Sequence, residues 1–215
     1  MSSTFKPNDK LLFIGDSITD AGRTNDHPPY GRGYMYVFKN MFTTINPELK
    51  LNFINKGICG NTLKGLELRW EKDVLNESPD HIFILIGIND AAVQLDKKQN
   101  LDMILNDFEK TYSHLLRLCI ENKISSITCM TPFYINNDST SPLSKLTLQY
   151  IEIIENICYK LSIPLINIQK VFQDLLKTSS ADLWSRDGIH PSKAGHIMIA
   201  EALYNSLDIE NNKIL

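Results

Sequence analysis

The stretch LLFIGDSITDAGR, residues 11–23, begins as an apolar run and breaks into a polar turn after Ile14. Four consecutive apolar residues before a glycine suit a strand covered on both faces, which is typical of a parallel sheet. Gly15 allows the chain to turn tightly where that strand ends, and Asp16 and Ser17 follow at once. This stretch therefore predicts a buried strand with two polar side chains at its carboxyl end.

The same kind of short apolar run recurs along the chain and alternates with helical patterns. With the first run included, the predicted strands are residues 11–14, 51–55, 82–86, 124–130 and 165–168. Apolar residues spaced three and four apart predict helices over 101–119, from Pro142 with Ser141 as its cap to before Pro164, and from about Ser192 to Leu207. The alternation predicts an α/β domain whose site lies at the carboxyl ends of the strands.

The length and composition describe a single folded domain. The chain has 215 residues, of which 43% are hydrophobic and 22% charged, as in ordinary globular proteins. We therefore expect one domain over residues 1–215, with residues 1–10 and 208–215 frayed at its ends. The four cysteines, Cys59, Cys119, Cys129 and Cys158, form no C-x-x-C pair and are predicted to be reduced thiols, three of them in the core.

The charge balance and the hydropathy exclude two classes of partner. The formal net charge is -3, without the excess of positive charge that binding to a phosphate backbone requires, so no nucleic-acid partner is expected. No apolar run approaches the roughly 18 residues of a membrane span, and residues 1–10 are polar, which predicts a cytoplasmic protein.

Three loops that follow predicted strands carry polar candidates for one site. Ser17 is a candidate nucleophile, although a serine after a strand is also a common helix cap. The loop NKGICGNT, residues 55–62, holds Gly60, whose backbone amide suits either an oxyanion hole or a plain turn. Asn89, in GIND at residues 87–90, is either an amide donor for the same hole or a cap. All three belong to one predicted sheet edge.

A fourth segment near the end of the chain supplies an acid and a base. In DGIHP, residues 187–191, Asp187 and His190 lie three residues apart on a loop stiffened by proline. His190 is the candidate base for Ser17, and Asp187 is the candidate carboxylate that holds its imidazole in one tautomer. Asp16 is predicted to organise the loop, because adjacent side chains diverge in direction.

The remaining candidates have more ordinary interpretations. Trp184 is either a wall of a substrate pocket or a core residue. The other four histidines lack the arrangement found at Asp187 and His190 and are predicted to be solvated or hydrogen-bonded residues of the surface: His27, His81, His114 and His196.

The four blocks, in this order, resemble the SGNH (GDSL-type) hydrolase superfamily, whose motif residues map to Ser17, Gly60, Asn89 and His190. Ile18 stands where that family's motif has leucine, which is a conservative change. The resemblance extends over residues 11–200. Three further segments, RWEKDV at 69–74, IGIND at 86–90 and MTPFYI at 130–135, resemble the intracellular acetyl-xylooligosaccharide esterases of this superfamily.

The resemblance implies a three-layer α/β/α fold with a five-stranded, flavodoxin-like parallel sheet. It also implies a serine esterase mechanism with no metal and no other cofactor. The oxyanion would be held by the backbone amides of Ser17 and Gly60 and by the side chain of Asn89. For the subgroup it implies the removal of acetyl groups from xylose units, and an assembly of identical subunits.

Three alternative functions stay open at the level of the sequence. A lipase or thioesterase would act on a longer acyl chain and would need an extended apolar groove. A catalytically silent carbohydrate-binding protein would keep the fold and bind sugar without turnover. A metal-dependent hydrolase would use Asp16, Asn89, Asp187 and His190 as ligands, and a chelator would inhibit it.

Overall fold

A computed structural model describes residues 5–96, 100–138 and 140–207 of the chain. The predicted frayed segments lie partly outside that range, which includes neither residues 1–4 nor residues 208–215. From residue 5 onward the N-terminal segment packs against the domain. The ring of Phe5, which is 1% exposed, lies 5.3 Å from that of Phe42 and 4.6 Å from that of His81.

The centre of the fold is a five-stranded sheet in which all strands are parallel. The strands are β1 (Lys10–Gly15), β2 (Asn52–Gly57), β3 (His81–Leu85), β4 (Ser126–Met130) and β5 (Leu165–Ile166), and their order in the sheet is β2-β1-β3-β4-β5. This is the flavodoxin-like order, in which the strand order reverses beside β1. The prediction of a parallel, doubly covered sheet is confirmed.

The helices follow the strands in alternation. They are α1 (Ser17–Asp20), α2 (Tyr34–Ile45), α3 (Leu63–Glu67), α4 (Ile88–Asp96), α5 (Leu101–Glu121), α6 (Pro142–Leu161), α7 (Ile168–Leu175), α8 (Ala181–Trp184) and α9 (Lys193–Ser206). A short 3₁₀ turn (Pro47–Leu49) and a π-helical turn (Glu71–Leu75) complete the described elements. Ser141 caps α6 through its hydroxyl, as the sequence predicted, and Ser192 caps α9 in the same way.

Two hydrophobic clusters cover the two faces of the sheet, which gives three layers. Along β1, Leu11 and Phe13 pack with residues of α2, α7 and α9, whereas Leu12 and Ile14 pack with residues of α3, α5 and α6. Alternate side chains of a strand point to opposite faces, so every residue from Leu11 to Ile14 is fully buried. The continuous apolar run of β1 is therefore the signature of a central strand.

The last predicted strand is shorter than its apolar run. We expected a strand over 165–168, but β5 ends at Ile166 because the Asn167 side chain accepts a hydrogen bond from the Lys170 amide and so caps α7. The chain turns into α7 at Ile168 and so leaves the sheet there. Periodicity alone does not show where a strand gives way to a capped helix.

The cysteines agree with the expectation of free thiols, three of them in the core. Cys119, Cys129 and Cys158 are buried free thiols, and Cys59 is an exposed free thiol. Among the described residues, no helix has both the length and the apolar character that crossing a membrane requires.

Candidate active site

The register of the sheet brings three polar loops to one edge. Gly15 at the end of β1 pairs with Gly57 of β2 on one side and with Leu85 of β3 on the other. The chain segments that follow these residues contain Ser17, Gly60 and Asn89. Parallel strands put all three segments at the same carboxyl edge, as the sequence predicted.

Ser17 is the first residue of α1, directly after the turn that leaves β1. Asp16 caps this helix by accepting a hydrogen bond from the amide of Ile18 at 2.9 Å. At Gly15 the chain has no room for a side chain, because an added Cβ would lie 2.2 Å from the Leu85 carbonyl oxygen. The glycine lets β1 approach β3 closely, and the serine then stands at the sheet edge.

Asp16 lies beneath the site as a buried carboxyl group and is fully shielded from solvent. Among the described residues, its second oxygen, Oδ2, has no hydrogen-bond partner. Burial raises the pKa of Asp16 to about 7, against the lowering effect of its bond to Ile18. Its side chain supports the turn, in keeping with the predicted role of loop organiser.

His190 connects Ser17 to Asp187 in a continuous hydrogen-bond chain. The Ser17 hydroxyl lies 2.9 Å from Nε2 of His190, and Nδ1 of the same ring lies 2.7 Å from Oδ2 of Asp187. With the proton on Nδ1, Nε2 accepts from the serine, which is the arrangement of a nucleophile and its base. Contacts across 173 residues of sequence thus assemble the three predicted residues.

The loop that carries Asp187 is held by its own short-range bonds. Oδ1 of Asp187 accepts from the backbone amides of Ile189 at 2.9 Å and His190 at 2.8 Å, and from the hydroxyl of the buried Ser185 at 3.1 Å. Partial burial raises the pKa of Asp187, but the hydrogen bonds from the His190 ring and from these amides outweigh burial and hold the pKa well below its usual range. The carboxylate is therefore ionised at neutral pH.

Asn89 contacts the loop that follows β2 at the residue next to Gly60. Gly60 has a φ of +74°, a left-handed conformation that favours glycine even though an added Cβ would meet no atom within 4 Å. Nδ2 of Asn89 donates to the carbonyl oxygen of Asn61 at 2.9 Å. An amide nitrogen carries two hydrogens, so Asn89 has one N–H left for a second acceptor.

Asp90 ties the other end of the same loop to α4. Both of its carboxylate oxygens accept from the amide of Leu63, at 3.1 and 3.0 Å, where α3 begins. Burial raises the pKa of Asp90 to about 7, opposed by these backbone bonds. The second loop is thus fixed by Asn89 and Asp90 together.

Trp184 packs into the fold beside residues 187–191, which we call the acid–base loop. Its ring contacts the core cluster of α2 and α9, and its indole Nε1 donates to the Ser179 hydroxyl at 2.7 Å. These are the contacts of the core residue, one of the two alternatives that the sequence left open. A role as a pocket wall stays a prediction.

Of the four histidines assigned to the surface, His81 is buried and His196 is half-buried. His81 is 4% exposed and lies between Asp9, 2.8 Å from Nε2, and Ser126, 2.9 Å from Nδ1. His196 accepts a hydrogen bond from the amide of Tyr34 at 3.1 Å and so caps α2. The partners of both histidines are distant in sequence, so the sequence did not show these contacts. His27 and His114 are exposed, as expected.

Three residues at this edge escaped assignment from the sequence. Ser185 is buried, and its single hydroxyl hydrogen is shared between Oδ1 of Asp187 and the His190 carbonyl oxygen, which holds residues 185–190 together. Asn61 and Arg69 hold the loop that contains Gly60. Arg69 stands four residues before Asp73, and this spacing of opposite charges on one helical turn was the available signal.

A five-stranded parallel sheet with a serine, a histidine and an aspartate connected at its carboxyl edge is the architecture of the SGNH-type ester hydrolases. Comparison with known proteins agrees. Residues 13–197 match the model of the GDSL-like Lipase/Acylhydrolase family. The chain is 36% identical to an acetylxylan esterase of Geobacillus stearothermophilus over 211 residues, which cover 94% of this chain and 95% of that protein.

Solved structures give the same result. A crystal structure of the Geobacillus stearothermophilus acetylxylan esterase has a TM-score of 0.85 and 34% identity, covering 96% of this chain and 97% of that one. An alpha/beta hydrolase enzyme from the metagenome of Lake Arreo, Spain, has a TM-score of 0.88 and 28% identity, covering 96% and 98%. The present chain belongs to the GDSL-like lipase/acylhydrolase family and is a carboxylic ester hydrolase.

A more distant similarity concerns part of the chain. An uncharacterized lipoprotein, YqeF, of Bacillus subtilis is 34% identical over 88 residues, which cover 41% of this chain and 35% of that protein.

Solved variants of the Geobacillus esterase that are described as catalytic mutants replace a serine, an aspartate and a histidine. These are the three residue types that meet at the sheet edge of the present chain.

Proposed function

We propose that this enzyme removes O-acetyl groups from xylo-oligosaccharides or closely related acetylated sugars through a covalent acetyl-enzyme. The observation that carries the proposal is the hydrogen-bond chain from Ser17 through His190 to Asp187. The substrate class is supported by similarity to acetylxylan esterases along almost the whole chain.

Acylation begins with a proton transfer inside the triad. Nε2 of His190 takes the proton of the Ser17 hydroxyl while the serine oxygen attacks the carbonyl carbon of the acetyl ester. Asp187 stabilises the imidazolium that forms. The imidazolium then gives the proton to the sugar oxygen as the C–O bond breaks, so that the sugar leaves as a neutral alcohol and the acetyl group stays on Ser17.

Deacylation repeats these steps with water. His190 removes a proton from a water molecule, the resulting hydroxide attacks the acetyl-enzyme, and acetate leaves as Ser17 regains its proton. No group outside the chain is required, since the nucleophile, the base and the charge that stabilises them are all side chains.

The negative oxygen of each tetrahedral intermediate needs preorganised donors. In our proposal these are the backbone amides of Ser17 and Gly60 and the remaining side-chain N–H of Asn89. Removing one such donor typically lowers kcat about 100- to 1,000-fold. The bond from Asn89 to the Asn61 carbonyl fixes the amide plane before substrate arrives, which is the preorganisation that such a site requires.

The decisive experiment compares the wild type with Ser17→Ala. Both p-nitrophenyl acetate hydrolysis and acetate release from acetylated xylo-oligosaccharides should fall by about four orders of magnitude or more in the variant. Ser206→Ala, on the exposed end of α9, is the matched control and should retain full activity. Hydrolysis of the small ester without release from the sugar would keep the serine mechanism and reject the proposed substrate.

The family also includes lipases, so the acyl-chain length needs its own test. We expect p-nitrophenyl acetate to be hydrolysed with a higher kcat/KM than p-nitrophenyl octanoate, and a clear preference for octanoate would reject the acetylesterase assignment. Stoichiometric labelling of Ser17 by an organophosphonate, with loss of turnover, would distinguish the enzyme from a silent carbohydrate-binding protein.

We infer the location from the hydropathy of the sequence and the assembly from the family resemblance. A cytoplasmic location and a homo-oligomer are both predictions, which cell fractionation and light scattering test directly. The partner we propose is a small acetylated sugar, with neither nucleic acid nor membrane involved in the reaction.

A further inference from the structure

The segment RWEKDV, residues 69–74, has no part in the chemistry described so far, although it lies beside the site. Its first residue, Arg69, follows α3 and has a side chain that is only 12% exposed. Burying a guanidinium group is costly unless its donors are satisfied and its charge is paired. The contacts of Arg69 therefore indicate why its side chain is largely buried.

The guanidinium makes four hydrogen bonds that join separate parts of the catalytic edge. Nε donates to the side-chain oxygen of Asn61 at 2.7 Å, and Nη2 donates to the carbonyl oxygen of Gly15 at 3.1 Å. Nη1 donates at 2.8 Å both to the carbonyl oxygen of Lys56 and to Oδ2 of Asp73. Four of the five guanidinium hydrogens are thus committed.

Two of the acceptor residues, Gly15 and Asn61, lie beside the proposed oxyanion donors Ser17 and Gly60. Gly15 is two residues before Ser17, and Asn61 is next to Gly60. Lys56 is the next-to-last residue of β2. Arg69 lies 54 residues from Gly15 along the chain, yet it ties the end of β1 to the loop after β2. The amide of Ile58 also donates to Gly15, at 3.1 Å, in the same junction.

Asn61 passes the constraint on to Asn89. Its side-chain oxygen accepts from Arg69, while its backbone oxygen accepts from Nδ2 of Asn89. Gly60 precedes it directly, so the position of Asn61 sets the plane of the peptide next to the proposed Gly60 donor. One residue, held by Arg69, thus links two of the three proposed donors.

A lysine could not replace this arrangement. The planar guanidinium presents its hydrogens in a fixed fork, which meets three carbonyl-type acceptors and a carboxylate at once, whereas an ammonium is a compact charge with three donors on a flexible stem. Asp73 supplies the charge partner for Arg69 and is itself 13% exposed. The pair is therefore largely shielded from solvent, and its guanidinium is held by four hydrogen bonds.

We propose that Arg69 is a positioning residue of the oxyanion hole, which acts through Asn61 to align the Gly60 amide and the Asn89 side chain with Ser17. This inference rests on the proposed oxyanion hole and identifies the residue that preorganises it. Displacing a catalytic group by about 1 Å costs on the order of 100-fold in rate, so loss of the fork should reduce turnover more than binding.

The test compares Arg69→Ala and Arg69→Lys with the wild type in hydrolysis of p-nitrophenyl acetate. Active sites are counted by phosphonate titration, so that misfolded enzyme does not enter kcat. We expect kcat per active site to fall about 10- to 100-fold in Arg69→Ala, with KM within threefold of the wild type. In Arg69→Lys, which keeps a charge beside Asp73, thermal stability should recover while kcat stays at least fivefold low.

Arg117→Ala, on the exposed face of α5, is the matched control and should retain the wild-type kcat. A kcat per active site within twofold of the wild type in Arg69→Ala would overturn the proposal, and so would full recovery of kcat in Arg69→Lys. If Arg69→Ala does not fold, the lysine variant alone decides between these results.

Asn89→Ala and Ser17→Ala, assayed in parallel, separate this inference from the proposed function. Loss of activity in both, with an unchanged Arg69→Ala, rejects the positioning role alone. An unchanged kcat in Asn89→Ala removes that donor from the hole and rejects the inference with it. Activity in Ser17→Ala would reject the serine mechanism itself.

Discussion

The two sides of the catalytic edge are built in opposite ways. On one side, the side chains of Asp187 and His190 are 54% and 56% exposed on a short loop. On the other side, the carboxyl groups of Asp16 and Asp90 and the guanidinium of Arg69 lie buried under Ser17 and the loop that contains Gly60.

The difference lies in the range of the bonds. Asp187 is held by amides two and three residues away and by Ser185, so the acid–base loop largely organises itself. The oxyanion side also depends on bonds between residues 27 to 54 positions apart, such as Asp90 to Leu63 and Arg69 to Gly15. An exposed base and a preorganised oxyanion hole suit their roles, since the imidazole must exchange protons with substrate and water whereas the donors must be fixed before substrate arrives.

The largest effect expected on the exposed side is a loss of turnover without a loss of fold. Asp187→Asn should lower kcat about 1,000- to 10,000-fold, because the amide donates to Nδ1 and leaves the proton of the neutral imidazole on Nε2, facing Ser17. The thermal midpoint should move by only about 2 °C, because the side-chain oxygen can still accept from the loop amides. Steady-state kinetics and thermal unfolding measure both.

Asp174→Asn, at an exposed ion pair of α7, is the matched control for Asp187→Asn. A variant at Asp187 that unfolds at the assay temperature would contradict the idea that this loop is locally organised.

On the buried side the expected effect is on stability, and Asp90 gives it a sign. Its pKa is about 7 in the folded protein and 3.8 as a free side chain. As pH rises from 3.8 to 7, the unfolded chain releases this proton before the folded one, so stability falls, by up to about 4 kcal/mol. Asp90→Asn should flatten that slope in chemical unfolding followed from pH 4 to 8.

Asp16 contributes a slope of the same sign, so Asp90→Asn should reduce the dependence and not abolish it. The exposed Asp102→Asn on α5 serves as the control and should follow the wild-type curve. Identical slopes in the wild type and Asp90→Asn would mean that Asp90 stays ionised in the folded state.

His196, on α9, should give the opposite dependence of stability on pH. Burial, together with the positive charges of His190 and Arg32, lowers its pKa from 6.5 to about 4. As pH falls from 6.5 to 4, the unfolded chain takes up a proton that the folded chain refuses, so stability falls by up to about 3 kcal/mol. His196→Asn, which keeps an acceptor for the Tyr34 amide, should remove this loss at low pH.

The matched control for His196→Asn is His114→Asn, because His114 is exposed on α5. Unfolding free energies measured at pH 4.5 and 6.5 decide the matter. If both variants lose stability equally on acidification, His196 is not the group responsible.

The smallest expected effect on stability concerns Trp184, which packs beside the acid–base loop. Trp184→Phe removes the indole hydrogen bond to Ser179 and should lower the free energy of unfolding by about 1 kcal/mol. Urea unfolding measures this loss, and Tyr159→Phe, which changes an 88% exposed ring on α6, is the control. An added rise in KM for the acetylated sugar, but not for p-nitrophenyl acetate, would assign Trp184 to the pocket as well.

Particular elements show how far the sequence reaches. Continuous apolar runs identified all five strands, and β1 was found almost to its ends, because a strand buried on both faces has no polar positions to confuse the pattern. The end of β5 was missed because the local cap from Asn167 to Lys170 does not change the apolar pattern. The burial of His81 was missed because its bonds to Asp9 and Ser126 depend on neighbours brought in by folding.

The sequence by itself determined the parallel α/β architecture, the family and the candidate residues, because strand periodicity, turn glycines and the order of the motif blocks are all local. Only the tertiary structure decided that Ser17, His190 and Asp187 touch, that Asp16 and Asp90 lose their solvent, and that Arg69 reaches Asn61 and Gly15. Such contacts depend on the packing of strands and loops far apart in the chain, which no local pattern records.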